Sequence, residues 1–233
     1  TVSLGRSEVF IPVDTEAVDA GTRKMLAGWA SEHDLAAIVS TDGDADRPLV
    51  TDASGNVIPG DVLGTLTAGL LDADTAVTPV SSNTMVELSG RFGRVIRTRI
   101  GSPFVIAAME AAPQDARVAG FEANGGFLLG FAAEGRGGVM APLATRDAFL
   151  PILLPLAEAA KRKAKLAELV EALPARATAS DRLTGIATEK SLALVELLTR
   201  EPEAREVFFR GSGPEAGIDV TDGLRVTFRS GTI

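Results

Sequence analysis

The chain has 233 residues, of which 45% are hydrophobic, and a formal net charge of −8. This length suffices for one large or two small domains. The acidic balance argues against nucleic acid or an anionic membrane as the main partner, and no run of 18 apolar residues predicts a membrane span. The lack of cysteine excludes disulfides, thiol nucleophiles and thiolate metal sites. We therefore expect a cytoplasmic protein that binds neither nucleic acid nor membranes.

The first regular element that the sequence predicts is a helix. Thr15 or Asp19 suits its N-cap, and the helix is expected to end near Glu32. Met25, Leu26 and Trp29 are spaced to lie on one buried face.

An acidic turn follows this helix. Residues 35–39 are five consecutive apolar residues, which predict a buried strand. Behind them, Asp42, Asp44 and Asp46 alternate with small residues, so that a tight turn can bring three carboxylates together. Because converging carboxylates repel one another, the pattern favours a hard divalent cation with oxygen ligands, Mg²⁺ or Ca²⁺. Arg47 comes next, and a guanidinium beside a metal indicates a phosphate group nearby.

Several alternatives compete with this interpretation. The pattern is also typical of a solvated acidic turn between strands. An EF-hand loop needs Gly at its sixth position and Glu at its twelfth, whereas the chain has Arg47 and Ala53 there. An aspartate-nucleophile phosphatase, with Asp42 as nucleophile, would have Thr or Val where the chain has Asp46. A Ca²⁺-stabilised binding module is the non-enzymatic alternative.

The acidic turn leads into a hairpin and then a helix. Residues 48–58 predict the hairpin, with residues 52–56 as its turn. Asp61 is expected to cap a helix that ends at Leu71.

Strands and helices alternate along the rest of the chain, which predicts a doubly wound α/β domain. The predicted strands are 76–80, 94–98, 116–121 and 127–131, and the predicted helices end at Leu88, near Ala112 and, after a start at Asp147, near Leu173. A helix from Thr188 and two short strands, 218–220 and 224–228, are predicted near the end.

The succession of strand, acidic turn, hairpin and helix resembles the metal loop of the α-D-phosphohexomutases. The matching residues are Ser40-Thr41-Asp42-Gly43-Asp44-Ala45-Asp46-Arg47. Within that superfamily the chain resembles the bacterial phosphomannomutase/phosphoglucomutase group over essentially its whole length. The resemblance implies an α/β fold of tandem phosphohexomutase-type domains with mixed sheets, followed by the start of an α+β domain.

A second motif extends the resemblance. Phosphohexomutases carry a sugar loop, Gly-Glu-x-Ser-Gly-His, and this chain has Phe121-Glu122-Ala123-Asn124-Gly125-Gly126. Glu122 and Gly125 match, and Asn124 replaces Ser with another hydrogen-bonding side chain. Phe121 and Gly126 depart from the pattern. Because Gly126 stands where the family has a His that can assist proton transfer, no acid or base is assigned.

The resemblance implies a Mg²⁺-dependent transfer of a phosphoryl group between the 1 and 6 positions of a hexose phosphate. A phosphoserine would donate the group, and a bisphosphorylated sugar would form and turn over. The partners implied are mannose or glucose 1- and 6-phosphates. The site residues implied are Asp42, Asp44 and Asp46 for the metal, Arg47 for the phosphate, Glu122 and Asn124 for sugar hydroxyls, and Arg99, in a basic-x-Gly turn, with Ser102 for substrate phosphate.

The resemblance also implies a domain organisation. The family has four domains; residues 1–72 correspond to the later part of the second, residues 73–174 to the third, and residues 175–233 to a linker and the start of the fourth. The family's phosphoserine segment, Thr-Ala-Ser-His-Asn-Pro, does not occur in this sequence. We therefore expect a fragment that has no mutase activity by itself.

Overall fold

The computed structural model describes residues 1–135, 137–180 and 183–230. The chain divides into two compact units, Thr1–Ser180 and Asp181–Ile233. Within the described ranges, no helix is both long and apolar enough to cross a membrane.

The first unit is a mixture of helices and strands. Its elements in chain order are α1 (Ala20–Glu32), β1 (Val39–Thr41), β2 (Pro48–Thr51), β3 (Val57–Ile58), α2 (Gly60–Leu70), β4 (Thr75–Pro79), α3 (Met85–Leu88), β5 (Arg94–Thr98), α4 (Ser102–Glu110), β6 (Val118–Phe121), β7 (Phe127–Leu129), β8 (Ala133–Gly135), β9 (Gly138–Met140), β10 (Leu143–Asp147), α5 (Phe149–Arg162) and α6 (Leu166–Glu171).

A small antiparallel sheet, in the order β1-β2-β3, carries the acidic turn. The predicted hairpin is confirmed as β2 and β3. Its turn is closed by Asp52, whose Oδ1 accepts hydrogen bonds from the backbone N–H groups of Ser54 and Asn56 at 2.8 and 2.9 Å. The helix predicted before this sheet is also confirmed as α1, with Asp19 as its N-cap, but Met25 is exposed and Leu26 alone is fully buried in α1, because the apolar cluster formed with Val18 and Leu49 lies on the Leu26 side.

The buried strand predicted over residues 35–39 is wrong. Strand β1 begins only at Val39, whose side chain is 46% exposed. The physical reason is that β1 pairs only with β2 and forms the edge of its sheet in the order β1-β2-β3. The buried strand is β2, all four of whose residues are buried.

The second sheet of this unit has five strands in the order β10-β7-β6-β4-β5. β4 runs parallel to β5 and β6, whereas β7 runs antiparallel to β6 and β10. Ala68 of α2 packs with Ala119 and Phe121 on one side, while Val105 of α4 packs with Val118 and Leu128 on the other. Helices on both faces of a mixed sheet confirm the predicted α/β class.

The other side of α2 packs against the helices at the end of the first unit. Leu63 and Leu66 of α2 contact a cluster that includes Ile152 of α5 and Leu166 of α6. The single helix predicted from Asp147 to about Leu173 is wrong, because Lys163 adopts a left-handed conformation with φ of 55° and ends α5. A short second helix, α6, follows this break.

Asp61 does not cap α2, contrary to the prediction. Pro59 occupies the N-cap position and makes no side-chain cap hydrogen bond. Asp61 lies in the first turn, is 1% exposed, and accepts a hydrogen bond at 2.7 Å from the backbone N–H of Asn83 through Oδ2. Its Oδ1 is buried without a partner in the described part of the chain. Burial therefore raises the pKa of Asp61, although the N–H of Asn83 partly offsets this.

The second unit contains α7 (Thr188–Arg200), α8 (Pro202–Phe208), β11 (Glu215–Asp219) and β12 (Arg225–Phe228). The two strands pair as an antiparallel hairpin. The guanidinium of Arg205 forms an ion pair with Glu215 at 2.7 Å and donates to the carbonyl of Leu198 at 2.8 Å. This one side chain therefore ties the hairpin to both helices.

We predict that a methyl group at Gly64 destabilises the fold. A Cβ there would lie 2.4 Å from Cγ of the buried Phe121 ring, whereas a Cβ at Gly28 in α1 meets nothing within 4 Å. Gly64→Ala should lower the free energy of unfolding by about 1–3 kcal/mol through overpacking. The matched helical control Gly28→Ala should raise it by about 0.5–1 kcal/mol. Urea unfolding measures both, and equal effects of the two substitutions would contradict this packing.

We also predict a pH dependence from Asp61. Since its pKa in the folded chain lies above the usual value of 3.8, the fold favours the protonated form. Stability from this group is therefore lost as pH rises from about 3.8 through the raised pKa. Asp61→Asn keeps an acceptor for Asn83 but cannot ionise. The variant should gain stability relative to the native chain as pH rises. Denaturation at a series of pH values measures this, and a difference in the free energy of unfolding that does not change with pH would contradict the prediction.

Candidate functional site

The acidic loop, residues 42–47, connects β1 to β2 and is folded around Asp42. Oδ1 of Asp42 accepts the backbone N–H groups of Asp46 and Arg47 at 3.2 and 3.1 Å. Ala45 has a φ of 62°, the left-handed conformation that tight turns use. A Cβ at Gly43 would lie 2.6 Å from Cζ of Phe10, so a larger residue would displace this ring.

This loop brings the three predicted metal ligands together. One carboxylate oxygen from each of Asp42, Asp44 and Asp46 lies within 4.8 Å of the others. Oδ2 of Asp42 and Oδ1 of Asp46 are buried, and the cation that faces both of them is the guanidinium of Arg47. Because three carboxylates this close together carry more negative charge than one guanidinium neutralises, this donor set fits a hard divalent cation.

Arg47 supplies positive charge to the same loop. Its guanidinium forms an ion pair with Asp42 and lies 3.5 Å from Asp46 and 3.9 Å from Asp44. Burial would raise the pKa of Asp42, but the backbone N–H and the guanidinium of Arg47 outweigh burial, so the pKa lies below its usual value. Asp42 therefore stays ionised, as a metal ligand must be.

The second predicted loop, residues 122–126, follows β6 and is called the Glu122 loop here. The N–H of Gly125 donates to the carbonyl of Glu122 at 2.9 Å, and Gly125 has a φ of 94°, which favours glycine. Oδ1 of Asn124 accepts the N–H of Gly126 at 3.0 Å. Part of the hydrogen-bonding capacity of Asn124 is thus used to shape the loop.

The carboxylate of Glu122 is buried at the base of this loop. Its side chain is 4% exposed, and Oε2 has no hydrogen-bond partner among the described residues. Burial raises the pKa of Glu122, and the charge of Arg146 only partly offsets this. An acceptor held in this way suits a ligand that brings its own hydrogen-bond donor, such as a sugar hydroxyl.

Arg146 on β10, which is not among the site residues predicted from the sequence, joins the two loops. Its Nη2 lies 2.6 Å from Oδ2 of Asp46, and its Nη1 lies 3.9 Å from Oε2 of Glu122. The strand pairing that places it sets Asp147 opposite Phe127. No local pattern around Arg146 signals this position, because it depends on the register between two strands.

The other two predicted site residues lie at the start of α4. The guanidinium carbon of Arg99 is 4.7 Å from the centre of the Phe104 ring. Ser102 is the first helical residue, and Gly101, with a φ of 119°, takes the N-cap position. Within the described ranges, no ion pair or hydrogen bond joins Arg99 or Ser102 to the acidic loop. Their contact with a substrate stays a prediction.

Comparison with known proteins identifies the class of protein that this fold represents. The solved structure of a phosphoglucomutase/phosphomannomutase family protein from Burkholderia thailandensis superposes with a TM-score of 0.62 at 18% identity, over 90% of this chain and 42% of that chain. Residues 59–177 match the family described as phosphoglucomutase/phosphomannomutase, alpha/beta/alpha domain III. The chain therefore belongs to the phosphoglucomutase/phosphomannomutase family.

Two curated relatives are similar over the whole chain. A phosphomannomutase from Sinorhizobium fredii (strain NBRC 101917 / NGR234) is 46% identical over 100% of this chain and 49% of that protein. A phosphomannomutase from Salmonella muenchen is 43% identical over 100% of this chain and 48% of that protein. The chain thus spans about half the length of these relatives.

Proposed function

We propose that this chain forms the metal-binding and sugar-binding part of a phosphohexomutase, an isomerase that interconverts the 1- and 6-phosphates of mannose or glucose. Its relatives named phosphomannomutase support this activity. The observation that carries the proposal is that the acidic loop and the Glu122 loop, far apart in the sequence, meet at Arg146. The division into residues 1–72, 73–174 and 175–233 belongs to the same proposal.

The acidic loop is the proposed Mg²⁺ site. Asp42, Asp44 and Asp46 would each contribute a carboxylate oxygen, and the convergence of these three oxygens within 4.8 Å of one another supports this assignment. Bound Mg²⁺ would supply neutralisation of the negative charge on the transferring phosphoryl group. Arg47, fixed against Asp42, would hold the loop in shape and steady the phosphate.

The Glu122 loop is the proposed sugar site. The buried carboxylate of Glu122 can accept hydrogen bonds from sugar hydroxyls, and the amide nitrogen of Asn124 can donate one while its oxygen shapes the loop. Arg99 and Ser102 are proposed to contact substrate phosphate. The phosphoryl donor would be a phosphoserine outside this sequence, and the reaction would pass through a bisphosphorylated sugar.

We predict that the purified chain binds Mg²⁺ through the acidic loop. Asp44→Asn removes one ligand at an exposed position and should weaken Mg²⁺ binding by about tenfold or more, as measured by isothermal titration calorimetry. Asp52→Asn, in the exposed hairpin turn, is the matched control and should bind as tightly as the native chain. Equal Mg²⁺ affinity in the native chain and in both variants would contradict the assignment of the acidic loop as the Mg²⁺ site. A strong preference for Ca²⁺ would favour the non-enzymatic module.

We further predict that the chain binds hexose phosphates in the presence of Mg²⁺. Glu122→Gln removes the charge and turns one of the two acceptor oxygens into an N–H donor, and should weaken binding of glucose 6-phosphate and mannose 6-phosphate by about tenfold. Glu171→Gln, on the exposed surface of α6, should have no effect. A coupled assay should detect no mutase turnover by this chain, since the serine segment is absent from its sequence. Turnover would contradict the requirement for an outside phosphoserine.

A further inference from the structure

Arg146 passes directly over Gly126 of the Glu122 loop. A Cβ at Gly126 would lie 2.6 Å from Cδ and 3.0 Å from Cγ of Arg146. Real Cβ contacts are longer than 3.0 Å, so a side chain at position 126 and the present course of Arg146 exclude one another. The absence of a side chain at Gly126 therefore makes room for the aliphatic stem of Arg146.

The guanidinium of Arg146 lies between the two loops, and not all of its N–H groups are used by these loops. One terminal nitrogen contacts Asp46 at 2.6 Å, and the distance of 3.9 Å from the other to Glu122 exceeds a hydrogen bond. A guanidinium has five N–H donors, and the side chain is 26% exposed. Several donors are thus open to a ligand that enters between the loops.

We propose that Arg146 is a substrate-binding residue, whose guanidinium binds a phosphate oxygen of a hexose phosphate held between the acidic loop and the Glu122 loop. This inference rests on the proposed phosphohexomutase function. The planar, positively charged guanidinium matches the geometry of phosphate oxygens. A neutral sugar offers no such anion, so Arg146 distinguishes the phosphorylated sugar from the free one.

The contact with Asp46 determines when Arg146 is available. Without another cation, Arg146 and Arg47 share the neutralisation of Asp46. A divalent cation at the three aspartates would take over this neutralisation, and the guanidinium of Arg146 could then turn to the phosphate. Removal of Arg146 should therefore weaken phosphate binding without weakening metal binding.

The experiment measures binding of glucose 6-phosphate, glucose and Mg²⁺ to the 233-residue chain by calorimetry, with Mg²⁺ saturating in the sugar titrations. Arg146→Gln should weaken glucose 6-phosphate binding about tenfold or more, because one charge-assisted hydrogen bond is lost. Arg146→Lys, which keeps the charge, should lose less. Mg²⁺ affinity should stay equal or increase in both variants. Arg162→Gln, an exposed arginine paired with Glu158, is the control and should behave as the native chain.

Gly126→Ala gives an independent test of the same geometry. Its methyl group should displace Arg146 and weaken glucose 6-phosphate binding as Arg146→Gln does. The double variant should then bind no more weakly than either single variant, because both remove one interaction. Additive losses would overturn the assignment.

The possible results separate this inference from the function on which it rests. No binding of glucose 6-phosphate by the native chain would overturn both. Binding by the native chain, with unchanged affinity in Arg146→Gln, would overturn only the role of Arg146. Equal loss of glucose 6-phosphate and Mg²⁺ binding in Arg146→Gln would also overturn it, since that indicates a structural role. If Arg146→Gln does not fold, Arg146→Lys and Gly126→Ala decide by the same criteria.

Discussion

The crowding of carboxylates around the acidic loop is the constraint on which the candidate site depends. Four carboxylates lie in this region, those of Asp42, Asp44, Asp46 and Glu122. Two guanidinium groups, those of Arg47 and Arg146, lie beside them and offset part of the negative charge. Because unbalanced charges of one sign are costly at partly buried positions, the loop geometry, both arginines and the metal preference follow from one electrostatic requirement.

The same geometry bears on the alternative of an aspartate-nucleophile phosphatase. Oδ1 of Asp42 holds two backbone N–H groups that shape the acidic loop, and Oδ2 contacts the guanidinium of Arg47. A nucleophilic carboxylate must present an oxygen to the attacked phosphorus atom and a metal ligand must present one to the cation, so this geometry leaves Oδ2 for either role. The phosphohexomutase proposal therefore requires Oδ2 of Asp42 to face the cation while Oδ1 keeps the acidic loop in shape.

Sequence alone predicted what local spacing controls and missed what strand register controls. The alternation of Asp42, Asp44 and Asp46 within one turn sufficed to predict that they converge. The position of Arg146 depends on how β10 pairs with β7, and the exposure of Val39 depends on β1 being an edge strand. Neither the position of Arg146 nor the exposure of Val39 can be predicted from the residues next to it in the sequence.

The break between α5 and α6 at Lys163 was missed for a related reason, since packing of α6 on α2 favours two short helices over one long one.

Close backbone contacts fix the distance between the two loops. A Cβ at Gly60, the first residue of α2, would lie 2.1 Å from the backbone nitrogen of Gly125, and one at Gly125 would lie 2.9 Å from the ring of Pro48. The Glu122 loop therefore rests on the start of α2 and on the residue that follows the acidic loop. Since backbone contacts leave less freedom than contacts between long side chains, the two loops stay at the separation that the Arg146 guanidinium spans. A side chain at Gly60 or Gly125 would therefore have to push the two loops apart.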